Sequence, residues 1–501
     1  MKNKNILILL FLLFIGSTSY SQVENEINEK ATPVQEGFIV VSEEPASNYL
    51  PQDVLIITED NHKKHHRKTK VRVRGQVDAQ YDFSTAKDHR NLITKEDPNL
   101  TNEYNYLGAP VAPKDYAGFQ IRRARLGADA YFKKRWSAHI GVALDLSNIN
   151  TEYGNRRDYL DYAYIQKKLH FGWLKGILSV GYKKVKFGLE ETTHPFYLTT
   201  VERSIATNYF NGVTLWDEGA GRPSGYVCTP LGVGNRHTGV QWEGKADWLI
   251  PKMNYYLAIA NETFNPFMRP KGQNINRINY YGGLGYLHKK KNYRLNFGVN
   301  FAYLPKGIQF FPISDQKSHE LYVFNPYMSA RAGWLSIGTE IFIGHAEHGQ
   351  FINGGFYDEG APSRAENSPD ANSLGINAMT SFRVFLWMEP YFRFAYLNSG
   401  GAGFSSGYLK DVLPNSNAPF ENNNFDKGYS YTAGINFKII PRKVRFSVEY
   451  QNHMFTDDLN YQVFINNPYT GHKVSNAMAE ALINDSKYVV NTLRARLQIR
   501  F

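Results

Sequence analysis

From Val71 to its last residue the chain alternates apolar and polar side chains with a period of two. Val71, Val73, Val77, Ala79, Tyr81 and Phe83 share one face, and Arg72, Arg74, Gln76, Asp78, Gln80 and Asp82 share the other. The pattern returns at 293–303, 429–439 and 444–450. It closes the chain, where Leu493, Ala495, Leu497, Ile499 and Phe501 alternate with Thr492, Arg494, Arg496, Gln498 and Arg500. A period of two means strands with one apolar face and one wet face. Two stacked sheets would alternate in the same way, so the connections between strands have to decide.

The connections alternate between short and long. Tight links fall near Lys133–Arg135, Phe171–Lys175, Ala246–Lys252, Lys289–Asn292, Arg331–Gly333, Leu386–Glu389 and Pro441–Lys443. Long links fall at about 85–117, 191–235, 264–277, 305–321, 346–373, 399–428 and 456–487, with a shorter one at about 148–157. Tight turns at one end and long loops at the other are how a membrane-spanning barrel is threaded. The expectation is an all-β, antiparallel up-and-down transmembrane β-barrel. It should have about sixteen strands of roughly 10–16 residues, short periplasmic turns and long extracellular loops.

Composition agrees with a barrel. The mean hydropathy of -0.45 is low because only alternate barrel residues meet lipid. Aromatic residues are 15% of the chain, with 34 Tyr and 32 Phe, as two interfacial girdles require. Beyond residue 21 no apolar run reaches about 18 residues, so helical spans are not expected. The single Cys228 has no internal disulfide partner.

The start of the chain reads as an export signal. Lys2 and Lys4 precede an apolar run from Ile6 to Ile15, and Ser19-Tyr20-Ser21 offers a small-x-small cleavage site. Residues 1–21 are expected to be a signal peptide, 22–70 a partly disordered periplasmic segment, and 71–501 the barrel. The basic run from His62 to Lys70 lacks metal-ligand spacing and reads as a solvated linker. No metal site, cofactor site or catalytic motif stands out, although sequence alone does not exclude a Ser–His pair.

If the aromatic and aliphatic face meets lipid, the charged face must line the lumen. By parity Arg72, Arg74, Arg294, Arg383, Arg393, Arg445, Arg494, Arg496 and Arg500 point inward. In the second strand Ala124, Leu126, Ala128 and Ala130 face out, so Arg123 and Arg125 face in. A bulge near Arg122 reconciles this register with Phe119 and Ile121. Closure of the last strand on the first then gathers Arg72, Arg74, Arg123, Arg125, Arg494, Arg496 and Arg500 on one wall, as a track that would bind oxyanions. In order of depth, Arg72, Arg74 and Arg500 should lie lowest, Arg494 and Arg496 midway, and Arg123 and Arg125 toward the outer half. A competing reading pairs these arginines with Asp78, Asp129, Asp145, Glu340 and Glu449 as wall braces. The third long link is expected to fold inward as a constriction, with Arg203, Tyr209, Trp216, Arg222 and Arg236 at the eyelet.

Four stretches carry a family resemblance: RRARLGADAYFKKRWSAHIGVALD at 122–145, GYKKVKFGLEETTHPFYLTTVERS at 181–204, RHTGVQWEGK at 236–245 and LRARLQIRF at 493–501. The chain resembles the phosphate-selective porin O and P family. The resemblance implies a sixteen-stranded homotrimer in a Gram-negative outer membrane, with an inward third loop and an arginine ladder that selects anions. It carries Arg123, Arg125 and Arg203 into matching motifs. Beyond Lys183, Lys184 and Lys186 the third link is poor in lysine, so general anion preference is expected ahead of phosphate. The reading is a non-enzymatic porin for passive diffusion of small anions such as phosphate or polyphosphate, with outer-membrane lipids around it. The last strand ending in Phe501 resembles the signal read by the barrel-assembly machinery. A general or carbohydrate-type porin, and a structural or adhesion barrel with binding loops, are the alternatives.

Overall fold

The computed structural model describes residues 70–88, 116–132, 135–143, 160–171, 174–211, 227–228, 233–234, 236–246, 250–261, 278–290, 293–305, 320–347, 370–401, 404–406, 424–456 and 487–501. The expected signal peptide, the segment 22–69, Asp145, Trp216 and Arg222 lie outside the described residues.

Sixteen antiparallel strands close into one barrel. They are β1 (Lys70–Asp88), β2 (Tyr116–Tyr131), β3 (Trp136–Ala143), β4 (Leu160–Phe171), β5 (Leu174–Lys184), β6 (Arg236–Lys245), β7 (Met253–Asn261) and β8 (Ile278–Lys289). The second half comprises β9 (Tyr293–Leu304), β10 (Leu321–Ala332), β11 (Leu335–Ala346), β12 (Ala371–Phe382), β13 (Met388–Asn398), β14 (Lys427–Ile440), β15 (Val444–Thr456) and β16 (Lys487–Arg500). Each strand pairs with its sequence neighbours, and β1 pairs with β16. Closure gives every strand a partner on both sides over part of its length, as a strand in hydrocarbon requires. Three short strands, Val227–Cys228, Phe404–Ser406 and Asn424–Phe425, form a separate small sheet between two long connections.

The alternation sets the two faces. Val71 and Val73 are 64% and 63% exposed on the outer face, whereas Asp78 and Asp82 are fully enclosed on the inner one. Arg122 is the extra residue of a bulge in β2, since Asp78 pairs with Arg123 while Ala79 pairs with Ile121. Both Arg122 and Arg123 therefore reach the lumen.

The seven tight links join β2 to β3, β4 to β5, β6 to β7, β8 to β9, β10 to β11, β12 to β13 and β14 to β15. Exposed aromatics gather at that end: Trp334 stacks on Phe382, Trp387 stacks on Phe385 and on Phe437, and Phe437 stacks on Phe446. Such a ring suits a membrane–water boundary.

Closure is staggered. Arg500 pairs with Gln76 and Phe501 meets Gly75, so the first five residues of β1, 70–74, extend past the end of the chain's last strand and pair with β2 alone. Phe501 seals this step. Its N–H donates to Gly75 O at 3.1 Å and its carbonyl accepts from Gly75 N at 2.9 Å. Its ring covers Gly75, where a Cβ would come within 2.3 Å of the ring.

Candidate functional site

The third long connection enters the barrel immediately after β5. Its described part, residues 185–211, holds a short helix α1 (Leu189–Thr192), a single 3-10 turn (Pro195–Tyr197) and a second helix α2 (Ile205–Asn211). Gly188 starts the insertion at φ 82°, in the left-handed region, and a Cβ there would meet Asn211 Nδ2 at 2.5 Å. Only glycine fits both restrictions.

Polar groups fix each local element. His194 Nδ1 accepts from the Phe196 N–H at 3.2 Å. Ser204 Oγ accepts from the Thr207 N–H at 3.1 Å, as a helix cap does. The apolar side of α2 then docks on the wall. The Phe210 ring stacks on Phe342 with centroids 4.9 Å apart. It fills the notch at Gly344 and Gly375, where a Cβ would lie 2.8 Å from it in either case.

The wall holds the intervening strap by its backbone. Arg445 donates to Leu198 O at 2.5 Å, Asn436 to Thr199 O at 2.8 Å, Arg496 to Thr200 O at 3.3 Å and Arg393 to Glu202 O at 2.7 Å. The Val201 N–H donates to Glu449 at 2.7 Å. At the start of α1, the Leu189 and Glu190 N–H groups donate to the Glu340 carboxylate at 2.7 and 3.3 Å. Glu202 closes the strap by accepting from Arg122 at 2.8 Å and Arg123 at 3.3 Å. Burial alone would raise the Glu202 carboxyl, but Arg122, Arg123, Arg496 and Arg494 outweigh it and hold it well below the usual carboxylate range.

The arginine track therefore divides. Arg123, Arg494 and Arg496 are at most 2% exposed and lie in the wall behind the strap. Arg123 pairs with Asp78 at 3.1 Å, and Arg494 pairs with Asp82 at 3.3 Å and with Glu449 at 3.5 Å. The brace reading holds for these pairs, and for Arg74 with Asp129 at 3.2 Å. It does not hold for Glu340, which accepts from the start of α1 and from Thr207 of α2 instead. Arg500 donates to the Tyr197 hydroxyl and lies over its ring. Arg72 is exposed and Arg74, Arg125 and Arg500 are half-buried.

The expected depth order is corrected. Along β1, Gln76 pairs with both Arg125 and Arg500, Asp78 with Arg123, Gln80 with Arg496 and Asp82 with Arg494. Arg123 and Arg125 thus sit nearer the tight-turn end than Arg494 and Arg496. The cause is the stagger of closure, which lifts every residue of β16 relative to β1 and β2. Tyr209 is a second correction. It is fully enclosed, with its hydroxyl 3.3 Å from Ser373 Oγ, and belongs to the core under α2 rather than to an eyelet rim.

Arg203 and Arg236 both lie near Glu191, in a cluster of ion pairs where the inserted segment meets the wall, joined by residues that parity did not select. Asp161 bridges Arg236 and Arg125, the latter at 3.8 Å. Glu191 bridges Lys184 and Arg203, the latter at 2.7 Å. Glu243 bridges Lys186 and Lys183, the latter at 3.4 Å. Six cationic side chains thus share three carboxylates. Burial pushes the Glu191 carboxyl up, but Arg203, Lys184 and Arg236 together hold it below its ordinary value. Asp161 was not legible in advance, because it sits beside a register shift between β3 and β4.

A Ser–His pair is also present. Ser137 Oγ lies 2.9 Å from His139 Nε2, and His139 Nδ1 lies 2.7 Å from Asp129. Arg74 holds the same Asp129 oxygen from the other side at 3.2 Å, so the chain ties β1, β2 and β3 together.

A closed sixteen-stranded barrel whose third long connection folds into its own lumen is the architecture of an outer-membrane porin. Residues 99–217, which cover β2 to β5 and the inserted segment, match the family model of phosphate-selective porin O and P. The resemblance read from 122–145 and 181–204 falls inside that match. No curated protein sequence matches the chain. Among solved structures, the outer membrane channel DcaP of Acinetobacter baumannii is 9% identical, with a TM-score of 0.47 over 86% of this chain and 97% of that one. An anion-selective porin from Comamonas acidovorans is 9% identical, with a TM-score of 0.46 over 87% and 100%. OprB of Pseudomonas putida is 9% identical, with a TM-score of 0.41 over 85% and 94%.

Proposed function

We propose that the chain is an outer-membrane porin through which small anions, phosphate among them, diffuse passively, and that it works as a homotrimer. The observation that carries this reading is the ion-pair cluster, in which six cationic side chains share three carboxylates. The excess positive charge lies where the inserted segment joins the wall, and a field focused inside a lumen raises the local concentration of anions. Guanidinium groups cannot lose their charge. Each carboxylate bridge tempers two cations, so an arriving anion is attracted without being trapped, as conduction demands. The arginines behind the strap hold the inserted segment in shape. Those left more open, Arg72, Arg74, Arg125 and Arg500, continue the positive path toward the tight-turn end.

The test is the reversal potential of the full-length protein in a planar bilayer across a KCl gradient. An anion-selective sign is expected, and a cation-selective sign overturns the proposal. Phosphate at millimolar concentration should also depress the chloride current.

A further inference from the structure

The wall opposite the strap has a composition of its own. Across β6 to β10, one row of paired inward positions reads Lys245, Asn254, Gly285, Gly298 and Tyr327. In the next row Tyr256 pairs with Gly283. Three glycines therefore form a bare floor between two tyrosines. Tyr327 lies along this floor: a Cβ on Gly285 or Gly298 would come within 2.8 or 2.7 Å of its hydroxyl. That hydroxyl is thereby carried over Gly285, the partner of Asn254.

The floor opens on a cavity whose other side is Gly188, Leu189 and Thr192 of the inserted segment. Four polar groups converge on it without a hydrogen-bond or ion-pair partner among the described residues: the Lys245 ammonium, the Asn254 and Asn296 amides and the Tyr327 hydroxyl. Convergent polar groups left unsatisfied by the protein are the mark of a ligand site.

The set is specific in its chemistry. It offers one cation, two amides that both donate and accept, one hydroxyl and aromatic faces. A bare phosphate on Lys245 is too small to reach the Tyr327 hydroxyl across the row, and a neutral sugar would leave that cation without an anion. Strands about 4.8 Å apart put Lys245 about 10 Å from Gly285, roughly the length of a hexose phosphate. We infer that the row Lys245–Asn254–Gly285–Gly298–Tyr327 is a subsite for a hydroxylated organic anion of monosaccharide size. The anionic group sits on Lys245, and the hydroxyls sit on Asn254, Asn296 and Tyr327 over the glycine floor. The inference rests on the anion pathway proposed above and names the class of anion that the pathway takes.

The test is block of chloride current through the full-length protein by glucose 6-phosphate, inorganic phosphate and glucose, each added alone. Glucose 6-phosphate should half-block at a concentration about fivefold or more below the other two. Lys245→Gln should raise that concentration about tenfold, the loss expected of one charge-assisted hydrogen bond, and Lys245→Arg should restore it. Tyr327→Phe should weaken glucose 6-phosphate block and leave phosphate block unchanged, because a phosphate on Lys245 does not reach that hydroxyl. Equal block by phosphate or by glucose overturns the inference, as does Lys245→Gln without effect. The reversal potential separates the two readings. An anion-selective pore that ignores glucose 6-phosphate sinks the subsite alone, whereas a cation-selective pore sinks the pathway itself.

Discussion

Arg393 Nη1 lies 2.9 Å from Glu190 Oε1, and neither side chain is more than 2% exposed. The same nitrogen reaches Thr200 Oγ1 at 2.9 Å and Glu202 O at 2.7 Å. One guanidinium thus joins the wall to α1 and to the strap. Arg393→Leu leaves Glu190 buried without its cation, at a cost of about 3–5 kcal/mol. The sixteen-strand hydrogen-bond ladder does not depend on that pair. The expected outcome is a barrel that still assembles, with higher single-channel conductance and a protease-sensitive site between residues 189 and 211.

Docking of α2 depends on two glycines. Gly375→Val drives a side chain into the space of Phe210, and overpacking of this kind costs about 1–3 kcal/mol. The variant should raise conductance and broaden its distribution while leaving the barrel's heat-modifiable electrophoretic mobility unchanged. A conductance equal to that of the parent refutes the notch as the docking site.

The charges of the ion-pair cluster can be altered in both directions. Asp161→Asn removes the negative charge that Arg125 and Arg236 share, so anion selectivity should rise. Arg203→Gln and Arg236→Gln should lower it. Reversal potentials in a KCl gradient measure both, and the opposite signs distinguish a field effect from general damage to the pore. The differences should shrink at high salt, where screening shortens the reach of each charge.

Acid should loosen the strap in two stages. Burial first, then the cations Arg500, Arg125 and Arg74, lower His194 to about 3. Released from the strap it would take a proton near its ordinary value of about 6.5. The released form therefore binds more protons below that value, and docking weakens as pH falls from about 6.5 toward 3. Glu202 acts later. Its docked value is depressed, so its contribution is fully present above about 4.3 and is lost only below that. Conductance should rise as pH falls from 6.5 to 4.5. His194→Gln should flatten the profile over that interval. An unchanged profile in the variant refutes the assignment.

Much of this protein is written in the period of its sequence. Each strand has to turn apolar residues to lipid and polar ones to water, so parity alone places Val71 and Val73 outside and Asp78, Arg494 and Arg496 inside. Link lengths locate the seven tight turns for the same local reason. The mismatch between Ile121 and Ala124 even locates the bulge at Arg122. Parity says nothing about what stands in front of an inward residue. The strap residues 198–202 meet Arg393, Arg445 and Arg496, which lie about 190–300 positions further along the chain, and no periodicity encodes such contacts. Tertiary structure alone decided that Arg123, Arg494 and Arg496 lie enclosed behind the strap and that Tyr209 packs in a core. It also decided that Asp161, Glu191 and Glu243 gather the cations where the inserted segment meets the wall. The physical reason is that the lipid boundary acts on every strand separately, whereas the shape of the lumen is set by one segment folding back across the whole barrel.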